Sequence, residues 1–253
     1  MATGAETSRV WGGRARLGLI VPTTNTVNEA EWAAMRMEGV TVHSARMPLH
    51  AVSEGDDASG LPAILVETIG QLTPAQPTSL AYSCTAGSMV TPAEAMPRAM
   101  SALAKLPCTS TAAAIVAALQ RLNAGSVAIA TPYHDALNAQ SRSFLEDCGF
   151  NVTSIQGLGI GAGGPGEFTR IARLDTATVR DHAIDSFRRG PADALLLSCT
   201  DMPTLHLLDE LEQTLGVPVL SSNTATLWRA LQLSGVDADI DRAGKLLTAR
   251  GTS

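Results

Sequence analysis

Aromatic residues make up only 4% of this 253-residue chain, and charged residues 17%. The formal charge is −6, and no Lys/Arg run is longer than Arg188-Arg189. A nucleic-acid-binding surface is therefore not expected. Gly, Pro or polar residues break every apolar run well short of the roughly 18 residues a membrane span needs, so no membrane partner is expected. No charged leader followed by an apolar segment opens the chain, which points to a cytoplasmic protein. Cys84, Cys108, Cys148 and Cys199 are the only cysteines. No two have C-x-x-C spacing and no His stands at a zinc-site interval, so no metal is expected and the four are read as reduced thiols. Neither a G-x-x-x-x-G-K-[ST] nor a G-x-S-x-G motif is present, which leaves a P-loop enzyme and an α/β-hydrolase unsupported.

What is there is a 45% apolar chain rich in Ala and Gly, enough for a buried core with close helix–sheet packing. Its length suits one large domain or two small ones. Short apolar runs at 16–21, 40–46, 79–83, 107–109, 126–130, 151–155, 194–198 and 217–220 read as strands. Helical stretches follow at 27–37, 61–71, 92–106, 111–122, 135–148, 176–189, 203–215 and 224–233. Strand–helix alternation with short connections predicts an α/β fold built on parallel sheet with helices on both faces.

A fixed offset runs through this pattern. Pro22 and Pro132, Gly39 and Gly149, and Val42 and Val152 are each 110 positions apart; Pro107 and Pro218 are 111 apart. An identical Ser-Cys-Thr triplet ends the third and seventh strands, at Cys84 and Cys199, 115 apart. The chain reads as an internal duplication: a polar tail over 1–13, a first α/β lobe over 14–122 and a second over 123–253. Ligands of parallel sheets bind beyond the carboxyl ends of the strands, where both triplets fall. Two lobes related by a pseudo-twofold would bring the two thiols to opposite sides of one ligand. Nearby backbone N–H groups and the following helix are expected to lower both thiol pKa values. Cys108 and Cys148 lack this context and read as packing residues.

Three further segments stand at strand ends. In Pro22-Thr-Thr-Asn-Thr26, Thr26 with Glu29 reads as a capping box, leaving Asn25 free either to stabilise the turn or to meet a carboxylate. In Thr131-Pro-Tyr-His-Asp135, Tyr133 offers a phenol, Asp135 reads as an N-cap, and His134 beside it invites a catalytic reading that the divergent directions of adjacent side chains weaken. Gly159, Gly161 and Gly164 form a G-x-G-x-x-G, but it follows a lobe's second strand and Pro165-Gly166 interrupts the helix start a pyrophosphate needs. A flexible loop over the cleft is the preferred reading.

Together, Leu19-Ile-Val-Pro-Thr-Thr-Asn25, Tyr82-Ser-Cys-Thr85, Thr131-Pro-Tyr133, Leu197-Ser-Cys-Thr-Asp-Met-Pro-Thr204 and Ser222-Asn-Thr-Ala-Thr226 resemble the aspartate/glutamate racemase superfamily, in its branch of maleate cis-trans isomerases and arylmalonate decarboxylases. The resemblance spans about 16–233 and is nearest the maleate isomerase pattern. It implies two flavodoxin-like lobes, each a four-stranded parallel sheet flanked by helices, with a cofactor-free, metal-free active site between them, and a homodimer. It implies Cys84 and Cys199 as catalytic residues. A carboxylate pocket would come from Asn25, Tyr133, Thr85, Ala86 and Thr200. Decarboxylases of this branch carry Gly at the first cysteine's position, so Cys84 speaks against decarboxylation. One departure is that the loop Gly161-Ala-Gly-Gly-Pro-Gly166 lacks the Asn with which maleate isomerases help hold a carboxylate; its N–H groups could replace that amide as an anion-binding nest, or the loop could leave room for a larger or less charged group. The reading is a two-cysteine isomerase of a small carboxylic acid, with maleate-to-fumarate conversion foremost. A racemase using the same thiols as acid and base is the rival, and a non-catalytic binding module a lesser one.

Overall fold

Two parallel sheets carry the fold in the computed structural model, which describes residues 11–48, 61–89 and 91–248. Residues 1–10 of the expected tail lie outside them. The first sheet contains β1 (Ala15–Pro22), β2 (Val40–Met47), β3 (Ser79–Tyr82) and β4 (Cys108–Ser110), in the order β2-β1-β3-β4. The second contains β5 (Ser126–Tyr133), β6 (Asn151–Ile160), β7 (Ala194–Leu197) and β8 (Val219–Ser221), in the equivalent order β6-β5-β7-β8. Helices α1 (Asn28–Ala34), α2 (Ala63–Leu72), α3 (Ala95–Ala104) and α4 (Thr111–Arg121) accompany the first sheet's strands. The second sheet's strands are followed by α5 (Asp135–Asp147), α6 (Thr176–Arg189), α7 (Leu208–Leu215) and α8 (Ser222–Leu233). None of the described helices is long and apolar enough to cross a membrane.

Strand order explains the sequence of each strand. β3 and β7 lie inside their sheets, covered on both faces, and every residue of each is buried. Such strands read as unbroken apolar runs. β2 is an edge strand, and its burial alternates along Val40–Met47. The duplication extends to single hydrogen bonds. Ser83 N donates to Ile20 O (2.7 Å) and Ser198 N to Ala130 O (2.9 Å). Ser110 caps α4 and Ser221 caps α8, each accepting from the backbone N–H three residues on.

α8 follows a strand of the second sheet but packs against α4 and against β3 and β4 of the first. Ala112, Ala114 and Ala118 on α4 and Ala225 and Ala230 on α8 are fully buried, and small side chains there let the two helices approach closely. One apolar cluster runs through both halves, and a smaller one lies under α2 and α3.

Buried polar contacts cross between the halves as well. The Glu31 carboxylate on α1 accepts from the backbone N–H groups of Thr204 (2.6 Å) and Leu205 (2.8 Å) and from Asn223 Nδ2 (2.7 Å). Asn28 Nδ2 donates to Asn223 Oδ1 and to Ser83 Oγ. A buried carboxylate is tolerated because these donors replace its hydration.

Several local expectations change. Thr26 and Glu29 form no capping box. Asn25 Oδ1 accepts from Val27 N (3.1 Å) and Asn28 N (2.9 Å), Asp201 Oδ1 accepts from Thr26 N (2.8 Å), and Glu29 pairs instead with Arg46 and Ser44. Asp135 does not cap α5: the N-cap is His134, without a side-chain bond, and Asp135 sits in the first turn. The helix expected from 203 begins as a short 3₁₀ turn, Leu205–Leu207, with the N–H groups of Thr204 and Leu205 bound to Glu31; α7 proper starts at Leu208.

Candidate active site

In each sheet the first strand has neighbours on both sides: β1 lies between β2 and β3, and β5 between β6 and β7. The chain therefore leaves adjacent strands in opposite directions there, opening a crevice at their carboxyl ends. One cavity of about 280 Å³ lies where the two crevices meet. All seven candidate residues line it. Asn25 follows β1, Cys84, Thr85 and Ala86 follow β3, Tyr133 ends β5, and Cys199 and Thr200 follow β7. His134, Cys108 and Cys148 are not among its lining residues.

The two cysteines sit in matched surroundings. Both are buried, and each lies close enough to the other for their charges to interact. The chain has only two tyrosines, and each hydrogen-bonds one thiol: Tyr82 bonds Cys84, and Tyr133 bonds Cys199 and Thr85. Gly87 N–H also bonds Cys84, and Asp201 N donates to Cys199 Sγ (3.3 Å). Gly87 has to be small. A Cβ there would stand 2.8 Å from Tyr82 Oη and 3.0 Å from Cys84 Sγ.

The expected lowering of both thiol pKa values is not found. Burial pushes Cys84 up and pushes Cys199 up to about 12. No helix N-terminus compensates, since a single 3₁₀ turn follows Cys84 and α7 starts nine residues after Cys199. The two thiols are nonetheless split. A backbone N–H and a tyrosine favour each thiolate, Gly87 and Tyr82 at Cys84 and Tyr133 and Asp201 at Cys199, but at Cys199 alone a neighbouring carboxylate, that of Asp201, and the other cysteine also oppose ionisation. Facing groups whose surroundings separate their proton affinities divide into base and acid. A raised pKa leaves a thiol protonated at neutral pH, with the thiolate fraction climbing as pH rises. Iodoacetamide should therefore alkylate Cys84 of the free protein more slowly at pH 7 than an ordinary thiol of pKa about 8.5. The rate should climb as pH rises into the alkaline range, with Cys84 labelled before Cys199. Rapid labelling of both at pH 7, read by peptide mapping, would contradict the burial account.

Three residues enter the site without having been singled out. Tyr82 stands two positions before Cys84, and residues i and i+2 of an extended chain share a face. That spacing, with tyrosine so scarce, was the available signal. Removing its hydroxyl should raise the Cys84 pKa further. Tyr82→Phe is expected to lower kcat/KM about tenfold at neutral pH, with the loss shrinking as pH rises; a loss independent of pH would mean that Tyr82 only packs. Asp201 lines the cavity, and burial raises its carboxyl pKa to about 6. Arg46 donates to Asn25 O (2.8 Å) and Thr23 O (3.2 Å), so a cation braces the Pro22–Thr26 turn from behind although no Arg lies in the turn itself. The Asn25 amide meets Thr200 Oγ1 (3.1 Å), Thr200 donates on to Ser83 O (3.4 Å) and Thr85 to Ser222 Oγ (2.9 Å).

The loop at Gly161–Gly166 departs from one of its expected roles, that of an open anion-binding nest. Its nest is already filled, because Glu167 Oε2 accepts from Gly161 N (2.8 Å) and Gly163 N (3.3 Å). Those two bonds, Gly161 first, hold the Glu167 carboxyl below its usual range. The loop is tied to its own chain and leads into a 3₁₀ segment, Pro165–Arg173, whose Phe168 and Ile171 line the cavity.

Comparison with known proteins agrees with this architecture. The family model described as arylmalonate decarboxylase matches residues 77–247. The chain is 30% identical to maleate isomerase of Nocardia farcinica over 248 residues, covering 93% of this chain and 96% of that one. It is 38% identical to arylmalonate decarboxylase of Bordetella bronchiseptica over 131 residues, 51% of this chain and about half (52%) of that enzyme's length. Among solved structures, a cysteine-to-serine variant of the Nocardia farcinica maleate cis-trans isomerase, with a covalently bound succinylcysteine intermediate, superposes with a TM-score of 0.80 at 27% identity, covering 92% of this chain and 98% of that one. Family match, full-length relatives and the doubled sheet agree: the chain belongs to the arylmalonate decarboxylase family, in company with the maleate isomerases.

Proposed function

We propose that the protein is a cofactor-independent cis-trans isomerase of small α,β-unsaturated carboxylic acids, with Cys84 as nucleophile and Cys199 as proton donor. The observation that carries this reading is the pair of buried thiols that line one cavity from matched strand ends, with the Asp201 carboxylate acting on Cys199. The succinylcysteine in a structural relative supplies a precedent for a thiol–carbon bond.

One carboxylate of the substrate is received by Asn25, Tyr133 and the segments Thr85–Ala86 and Thr200 that follow the thiols. The Cys84 thiolate adds to the β-carbon, and the π electrons move toward the held carboxylate as an enediolate. Oriented neutral donors stabilise that charge. The Cys199 thiol protonates the α-carbon, giving a saturated thioether. Rotation about the new single bond follows. Cys199 thiolate then removes an α-proton, the S–C bond breaks, and the trans acid leaves with Cys84 again a thiolate. Burial suits Cys199 to this part, because a thiol held near 12 keeps its proton until a carbanion takes it.

The same thiols could remove and return the α-proton of a chiral acid, and their near-symmetric placement is what favours this second reading. Proton NMR in D2O separates the two. Maleate should yield fumarate, whereas a racemase would leave maleate unchanged and exchange the α-hydrogen of a chiral acid. Absence of any maleate conversion, together with such exchange, would replace the isomerase reading.

A further inference from the structure

We propose that the preferred substrate is an α,β-unsaturated monocarboxylic acid with an apolar alkyl or aryl group on its β-carbon, rather than a diacid; this rests on the isomerase reading above. The cavity offers one polar cradle and one apolar wall. The cradle comprises Asn25, Thr85, Ala86, Thr200 and Tyr133, and the wall is built by Leu137, Phe168 and Ile171. Ile171 is buried, and Phe168 stands edge-on to the Tyr133 ring with centroids 6.5 Å apart, which fixes the wall beside the cradle.

Among the described residues a second carboxylate finds no partner of matching charge. Among the described residues that line the cavity there is no Lys, Arg or His, while Asp201 supplies a carboxylate. The amides of Gly161 and Gly163 do not line the cavity and are bound to Glu167. Arg46 is turned away to Thr23, Asn25 and Glu29. Gln140, the remaining amide side chain of that wall, is exposed at the mouth. Against Leu137, Phe168 and Ile171 a second carboxylate would therefore lose hydration with no cation among the described lining residues to offset it. An apolar group would lose only unfavourable contact with water. The chemistry does not need the second carboxylate, since the thiolate adds β to the carboxylate held in the cradle.

The test compares (Z)-3-phenylpropenoate with maleate as substrates, by proton NMR, for the wild type and for Phe168→Ala. It also compares 3-phenylpropanoate with succinate as ligands of Cys84→Ser, by calorimetry. The expected result is a kcat/KM at least about tenfold higher for the aryl monoacid, a preference that Phe168→Ala largely removes. The binding preference should run the same way. Faster turnover of maleate, or tighter binding of succinate, would overturn the inference while leaving the isomerase reading standing. If neither acid is isomerised, the isomerase reading fails, and the calorimetric order alone decides whether the cavity selects an apolar monoacid.

Discussion

Cys84→Ala should abolish turnover and also every covalent adduct, whereas Cys199→Ala should abolish turnover yet still bond the substrate at Cys84. The asymmetry follows from the division of labour. Without Cys84 there is no nucleophile for the β-carbon. Without Cys199 the thiolate can still add, but the α-carbon must take its proton from water. Removing a positioned proton donor costs about 10²- to 10⁴-fold, and removing the nucleophile at least as much. Both variants should stay folded, since Cys→Ala removes one atom from a cavity wall. Turnover by either variant within about tenfold of wild type would refute the two-thiol mechanism.

The second large effect is on stability. Glu31→Ala should cost about 3–5 kcal/mol, because it strands several buried donors at about 1–3 kcal/mol each. The carboxylate is the shared acceptor for Thr204 N, Leu205 N and Asn223 Nδ2, all buried, and its removal leaves these donors without it. Because Thr204 and Leu205 close the loop that begins at Cys199, kcat should fall as well. Urea unfolding measures the first effect and steady-state kinetics the second. A change below about 1 kcal/mol would mean that water or a neighbouring group replaces the carboxylate.

The fold was legible because its signals are local. Apolar runs bounded by Gly and Pro marked all eight strands, and the recurring offset of Pro22, Gly39 and Val42 with Pro132, Gly149 and Val152 anticipated the repeated sheet order. The cavity was legible for the same reason, since strand ends in a parallel sheet are its ligand-binding edge. What escaped were contacts between distant residues. Asp201 takes the N–H of Thr26, which Thr26 and Glu29 were expected to organise, and Glu31 takes the N–H groups with which a helix from 203 would have begun. Each partner lies more than 170 residues away, beyond the reach of any local motif. The thiol pKa values were misread for a related reason: strand-end position suggested stabilising dipoles, but burial from both lobes outweighs them. Glu167 was a different omission. It stands next to the glycine loop, and a carboxylate so close to free loop amides is a natural occupant of the nest.

Peptide mapping of the adduct tests the central claim most directly. Cys199→Ser incubated with excess maleate, quenched in acid and digested, should carry a mass gain of one maleate on the peptide containing Cys84. Cys84→Ser treated alike should carry none on Cys199. A mass gain on Cys199 in the Cys84→Ser protein, with Cys84 unmodified in the other variant, would reverse the roles assigned to the two thiols.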